Sequence, residues 1–333
     1  MRTIDTPVTD PVTFGVLGCA DIAWRRTIPA MLAEPRIRLV AVASRTAERA
    51  GRFADRFGCA AVTGYQELLE RPDIEAIYLP LPEMLHARWI ESALAAGKHV
   101  FAEKPMTTDA RSTADLLRLA DKAGLVLLEN YAYLHHPQHA EVRRLLDDGV
   151  LGDLRGMSAA FTIPPKPDTD IRYRPDLSGG AFRDIGAYPI GAALHFLGPD
   201  LEIAGAVLRH ERNRDITLGG SVLLHTPAGV TVQATFGMEH AYRAEYELFG
   251  SAGSLRLDRA YTPPETWQPV IRMRRQDHDE EFTLPAAHQF AEAVRYFARA
   301  VRGEVDTEPY RAFTMRLARL LDDIYERAHR ISC

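Results

Sequence analysis

The stretch Val12-Thr-Phe-Gly-Val-Leu-Gly18-Cys-Ala-Asp-Ile-Ala23-Trp-Arg-Arg-Thr-Ile28-Pro-Ala-Met31 decides the fold. Residues 14–17 form a short apolar run of the kind that makes a buried strand. The small-residue turn Gly18-Cys19-Ala20 follows. Apolar residues then fall at Ile22, Ala23, Ile28, Met31 and Leu32, spacing that suits one helix face packed on a sheet. A strand that enters a helix through a glycine turn leaves the first helical N–H groups facing a crevice, where they attract a phosphate. The dinucleotide pattern G-x-G-x-x-G/A is met here as Gly18-x-Ala20-x-x-Ala23. Gly18 makes the turn and Ala23 permits close helix–strand packing, while Ala20 replaces the glycine of closest pyrophosphate approach.

The next segment agrees. Residues 38–44 are a continuous apolar run of strand length ending in Ser44-Arg45-Thr46. This point lies about 20 residues beyond the turn, where an NAD enzyme places Asp or Glu against the ribose 2′-hydroxyl. A hydroxyl and a guanidinium stand there instead, which suits a 2′-phosphate and favours NADP.

A chain of 333 residues suits two domains. The expected division is a tail over 1–11, a dinucleotide-binding domain over 12–132 and a second domain over 133–333. The net charge of −5 provides no field for nucleic acid. No apolar run approaches the ~20 residues of a bilayer span. Cys19, Cys59 and Cys333 are scattered, as expected of free thiols in a reducing cytoplasm, and have no metal-ligand spacing. His135, His136 and His139 suggest a metal by composition only. No carboxylate completes them, so none is expected.

Further strands are read at 58–63, 73–79, 97–102 and 125–128, alternating with helices at 46–57, 65–69, 86–94 and 114–123. Two strand ends stand out. Pro80-Leu-Pro-Glu-Met-Leu-His86 opens a loop where doubly wound sheets bind ligands, so Leu81, Pro82 and His86 are candidate cofactor contacts. His86 also suits the first turn of the following helix. At the second strand end stands Glu103-Lys104-Pro105. Lys104 is either half of a surface ion couple with Glu103 or a crevice cation for a substrate oxygen, and its position favours the second. About 5% of X-Pro bonds are cis, a rate that favours trans at Lys104–Pro105.

After Asn130 the alternation ends, and the boundary is placed near Tyr133. Period-two segments follow at 155–163, 203–209, 221–225, 230–239, 246–250 and 254–257, and two helices close the chain at 286–302 and 310–329. Between them, Gly179-Gly-Ala-Phe-Arg-Asp184-Ile-Gly-Ala-Tyr188 puts Asp184 and Tyr188 four apart. Asp184 could equally cap a helix, and Tyr188 could be an amphipathic core residue.

With these pieces placed, the chain resembles the glucose-fructose oxidoreductase/inositol dehydrogenase (Gfo/Idh/MocA) family. Gly18 to Ala23, Pro82 with His86, Glu103-Lys104-Pro105 and Gly179 to Tyr188 carry the resemblance, which covers nearly all of residues 12–330. It implies an α/β architecture: an N-terminal Rossmann doubly wound parallel sheet and a C-terminal α+β domain whose open, largely antiparallel sheet commonly forms homodimers or homotetramers. It also implies metal-free hydride transfer between nicotinamide and a sugar or cyclitol. Many members carry His where Tyr188 stands and Asn where Glu83 stands. In the latter respect the chain looks like the sugar ketoreductases of deoxysugar biosynthesis, which reduce the 3-keto group of a TDP-linked sugar.

The expected NADP contacts are therefore Gly18, Cys19, Ala20, Asp21, Ile22, Ser44, Arg45, Leu81, Pro82, His86, Glu103, Lys104 and Asn130. The expected contacts to a nucleotide-linked sugar are Lys104, Tyr133, Arg172, Arg183, Asp184 and Tyr188, with Arg172, Arg174 and Arg183 as candidates to pair with the diphosphate. Lys104, Tyr188 and Asp184 form the catalytic set. A phenol with an unperturbed pKa of ~10 becomes a usable acid beside an ammonium. Either Tyr188 or Lys104 can then deliver the proton while Asp184 orients them. A dehydrogenase oxidising an aldose or dihydrodiol, and a catalytically silent NADP-binding regulator, are the competing readings.

Overall fold

A computed structural model describes residues 10–333. The tail expected over 1–11 lies largely outside these described residues. The chain forms two compact units: residues up to 107 with 111–132 and 290–310, and residues 108–110 with 133–289 and 311–333.

The first unit contains strands β1 (Val12–Leu17), β2 (Ile37–Ser44), β3 (Ala60–Thr63), β4 (Ala76–Leu79), β5 (His99–Glu103) and β6 (Leu127–Asn130). They are ordered β3-β2-β1-β4-β5-β6, all parallel. Between them run helices α1 (Ile28–Ala33), α2 (Ala47–Phe57), α3 (Tyr65–Leu69), α4 (His86–Ala95) and α5 (Ala110–Ala123). The order reverses between β1 and β4, which is where a doubly wound sheet opens its binding crevice.

A π-helical turn, Ala23–Thr27, precedes α1 and re-phases the helix, so that Ala23, Ile28 and Met31 are all buried. Leu32, read as part of that apolar face, is instead 52% exposed. Residues 290–310 join this unit although the sequence reading assigns them to the second domain. The helix α8 (Gln289–Val301) buries Ala293, Val294, Phe297 and Ala298 in the first unit's core, with the Phe297 ring 5.5 Å from Phe14 and 4.9 Å from Phe101.

The second unit holds β7 (Leu154–Ile163), β8 (Glu202–Glu211), β9 (Ile216–His225), β10 (Thr231–Met238), β11 (Arg243–Gly250), β12 (Ser254–Asp258), β13 (Val270–Arg274), β14 (Asp279–Thr283) and β15 (His329–Ser332). They form one sheet ordered β14-β13-β12-β11-β7-β10-β9-β8-β15. Its neighbours are antiparallel except β7 with β10 and β8 with β15. Helices α6 (Pro137–Asp147) and α7 (Ala187–Leu197) belong to the same unit, and α9 (Glu308–Arg327) closes the chain before β15.

Three strand features escape the sequence reading. Strands β13 and β14 present a charged face whose ions pair across strands, Arg272 Nε with Glu281 at 2.9 Å and Arg272 Nη1 with Asp258 at 2.5 Å. Strand β9 begins five residues earlier than the run read at 221–225. The final helix stops at Arg327, and 329–332 add a parallel strand instead of extending it.

Buried histidines make the second unit acid-sensitive. Burial pushes His136 and His195 down to about 4 and His139 well below its usual range. Folded, they stay neutral; unfolded, each takes up a proton below about 6.5. Between those limits the unfolded chain binds more protons, so stability falls as pH falls. Urea unfolding should show a lower midpoint at about pH 5 than at about pH 7.5, and equal midpoints would contradict neutral burial.

Candidate active site

The turn after β1 meets the demand of a dinucleotide crevice for closely approachable backbone. Gly18 has φ +127°, and a Cβ there would lie 2.7 Å from Leu81 Cδ2, so the loop after β4 lies directly against the turn. Cys19 is buried with Sγ 3.7 Å from the Ala43 carbonyl, and burial pushes its thiol up to about 11, the mark of an inert packing residue. Ala20 and Ile22 are half-buried. Asp21 is exposed and ion-paired with Arg25.

Ser44 is buried at the end of β2 and Arg45 is exposed beyond it. The sequence reading missed two neighbours of this corner. Arg49 acts electrostatically on the Cys19 thiol, and both Arg45 and Arg49 act on the Tyr65 phenol. A signal existed, since Arg45 and Arg49 are four residues apart at the head of α2.

The turn after β5 is pinned on three sides. Glu103 points inward, accepting from Tyr78 Oη at 2.7 Å and from Asn130 Nδ2 at 2.8 Å, while Thr27 bonds Tyr78 at 2.9 Å. Burial raises the Glu103 carboxyl above the usual carboxylate range. This burial removes the reading of Glu103 and Lys104 as a surface couple. The Lys104–Pro105 bond is cis, against the expectation from its base rate. The Pro105 carbonyl lies 2.8 Å from His86 Nδ1, and Met106 N–H donates to Glu129 Oε1 at 2.7 Å. Within residues 103–106, Lys104 alone is not buried.

His86 faces the backbone: Nε2 lies 2.6 Å from the Leu81 carbonyl, and the ring is 1% exposed. Pro82 is half-buried before a 3₁₀ turn over Glu83–Leu85, where the sequence reading expects an open loop. Asn130 Oδ1, at the carboxyl end of β6, is buried and has no hydrogen-bond partner, an acceptor that a ligand donor would satisfy. The residues present therefore fit a dinucleotide: a glycine turn strained for any side chain, a hydroxyl and two guanidiniums at the β2 corner, and an unused buried acceptor.

In the second unit Asp184 lies in a π-helical turn, Phe182–Gly186, and so is not a helix N-cap. It accepts from Arg172 Nε at 2.6 Å, and Arg172 Nη1 also bonds Asp170 at 3.0 Å. These carboxylates, Asp184 first, raise the Arg172 pKa. Arg183 is ion-paired with Asp322. Arg174 pairs with Asp176 at 2.8 Å, so all three arginines expected at a diphosphate are engaged by carboxylates of their own unit.

Tyr188 is half-buried in α7. Its ring centroid stands 4.9 Å from Phe161, 5.4 Å from Tyr133 and 5.6 Å from Tyr261, so three aromatic rings fix its plane. Tyr133 is buried inside this cluster. Among the described residues no group of three or more His, Cys, Asp or Glu is arranged to hold a metal, and no helix is long and apolar enough to cross a membrane.

A parallel sheet with a glycine turn at its switch point, followed by a unit built on one large open sheet, defines a dinucleotide-binding enzyme of two parts. The oxidoreductase-family model with NAD-binding Rossmann fold of the GFO/IDH/MocA group matches residues 12–131, and the GFO/IDH/MocA C-terminal domain model matches residues 139–256. The chain belongs to this family.

Among its relatives, the dTDP-3,4-didehydro-2,6-dideoxy-alpha-D-glucose 3-reductase of Actinomadura kijaniata is 55% identical over 315 residues, 95% of each chain. The enzyme of the same description from Streptomyces antibioticus is 60% identical over 289 residues, 87% of this chain and 88% of its own. A crystal structure of a 3-ketoreductase from Actinomadura kijaniata with NADP and TDP-benzene superposes with a TM-score of 0.95 at 54% identity, covering 97% of this chain and 100% of the other. Lys→Ala and Tyr→Phe variants of that ketoreductase have also been crystallised, and the two altered positions stand as far apart in sequence as Lys104 and Tyr188.

Proposed function

We propose that the protein is an NADPH-dependent ketoreductase that reduces C-3 of a dTDP-linked 3,4-diketo-2,6-dideoxy sugar in deoxysugar biosynthesis. One observation carries this reading: 55% identity across 95% of both chains to a 3-reductase for that sugar nucleotide. The turn at Gly18–Ala20 holds the pyrophosphate, and Ser44, Arg45 and Arg49 take the 2′-phosphate. Leu81 and Pro82 line the cofactor, and Asn130 Oδ1 accepts from it. Bound NADPH supplies the hydride that adds to the ketone carbon.

Lys104 sets an ammonium against the carbonyl oxygen, where negative charge grows as the carbonyl is reduced. Tyr188 donates the proton, its ring plane fixed by Phe161, Tyr133 and Tyr261. Asp184, oriented by Arg172, accepts from a sugar hydroxyl.

Tyr188→Phe should lower kcat roughly 10- to 100-fold with little change in KM, since water can replace a missing donor at reduced efficiency. An unchanged kcat would remove Tyr188 from the role. Arg45→Ala should weaken NADPH roughly 10-fold or more, the scale of one hydrogen-bonded charge, while leaving NADH unaffected. Equal losses for the two cofactors would contradict the 2′-phosphate assignment. Turnover of free aldoses with NADP⁺ exceeding that of the ketosugar nucleotide would favour the competing dehydrogenase reading.

The protein works in the cytoplasm as a homodimer or homotetramer, joined through the open face of the nine-stranded sheet. Val207, Leu223 and Phe249 support this, since they share that face at 39, 44 and 38% exposure. Light scattering on the purified protein should give a multiple of 37.2 kDa.

A further inference from the structure

We infer that His86 is a positioning residue for the reduction, its one imidazole ring holding the loop after β4 to the Lys104 turn after β5. The inference rests on Lys104 acting as proposed above. Both ring nitrogens face backbone carbonyls, Nε2 with Leu81 at 2.6 Å and Nδ1 with Pro105 at 2.8 Å. Leu81 is the residue against which the Gly18 turn packs, and Pro105 directly follows Lys104. One buried ring thus connects the loop beside the cofactor turn to the segment that carries the ammonium.

The chemistry of these contacts is demanding. A carbonyl oxygen only accepts, and a neutral imidazole has a single N–H. Both contacts are hydrogen bonds only when the ring carries both protons. A neutral ring makes one of them and packs its second nitrogen against the other carbonyl. Burial is the largest influence on the ring and holds its pKa below the ordinary histidine value; the Leu81 and Pro105 carbonyls pull the other way, and the Lys104 charge acts with burial. The ring is accordingly neutral, and it bridges the two loops by one donated N–H and one close packing contact.

Neighbouring contacts fix the remainder of the turn. Glu103 is held by Tyr78 and Asn130, and Met106 by Glu129. His86 is the group that ties this turn to a different loop. Without it, Lys104 keeps its backbone anchors but loses its registration against the cofactor loop. Misplacement of a catalytic group by about 1 Å costs on the order of 100-fold in rate.

The test uses the full-length enzyme with ¹⁵N-labelled histidine. The His86 ring signals, assigned by their absence from His86→Phe, should report one N–H proton at neutral pH that exchanges slowly with solvent, as a ring held between two loops requires. His86→Phe, which keeps ring volume and removes the donor, should lower kcat roughly 10- to 100-fold. KM for the sugar nucleotide should stay within a few-fold. His86→Gln, which keeps a donor group, should fall between. Because the effect runs through Lys104, His86→Phe should cost little more once Lys104→Ala is present.

A ring N–H that exchanges as fast as an exposed imidazole's, a folded Phe variant with wild-type kcat, or a full additional loss in the Lys104→Ala background each overturns the inference. Wild-type turnover of the ketosugar nucleotide is the control. If it is nil, the functional reading fails, and exchange of the ring N–H still decides whether His86 is held between the loops. If His86→Phe does not fold, the Gln variant supplies the assignment and the exchange rate again decides.

Discussion

Lys104→Ala lowers kcat by roughly 100- to 1000-fold and weakens NADPH binding by a few-fold at most; this is the largest catalytic effect the site predicts. Loss of one preorganised group that stabilises developing negative charge costs on this scale. The backbone around Lys104 does not depend on its side chain. Glu103 is anchored by Tyr78 and Asn130, Pro105 by His86 and Met106 by Glu129. Truncation therefore removes an ammonium from a turn that stays in place, and the loss in rate reads charge stabilisation. Single-turnover oxidation of NADPH by the ketosugar nucleotide measures it. A rate within a few-fold of wild type would mean that another group stabilises the alkoxide.

Gly18→Val is the second large effect, and it strikes binding before chemistry. Gly18 sits at φ +127°, a conformation closed to β-branched residues, and a Cβ would meet Leu81 Cδ2 at 2.7 Å. The strain of such a residue is about 1–3 kcal/mol, and the turn relieves it by moving off the geometry that the pyrophosphate needs. NADPH affinity should fall roughly 10- to 100-fold or more. The sheet should survive, because β1 is buried along its full length and the turn begins after it. Fluorescence titration with NADPH reads the affinity and circular dichroism reads the fold. Wild-type affinity in the variant would show that the cofactor does not approach this turn.

Much of the first unit is legible in the sequence because its physics is local. Apolar runs of strand length, each followed by an amphipathic helix, lead to one parallel sheet. Glycine at the first turn and charge at the end of β5 mark where that sheet binds ligands. What stays hidden depends on partners distant in sequence. The apolar stripe of α8 says that something covers it, not that Phe14 and Phe101 do. The sequence reading names no strand over 270–283, whose dense charge is accounted for only once Arg272 is seen between Asp258 and Glu281. The site divides in the same way. Residue types single out Lys104, Asp184 and Tyr188. Only the fold reveals that Arg172 and Arg183 serve carboxylates, that three rings clamp Tyr188, and that His86 lies between two carbonyls rather than pointing at a ligand.

The most direct test follows the hydride. The protein is incubated with dTDP-3,4-didehydro-2,6-dideoxy-glucose and NADPH deuterated at either C4 position, and the sugar product is examined by NMR. One of the two labelled cofactors should deliver a single deuterium to C-3 of the sugar, leaving C-4 unlabelled. Deuterium at C-4, or no NADPH consumption with this substrate, would contradict the account.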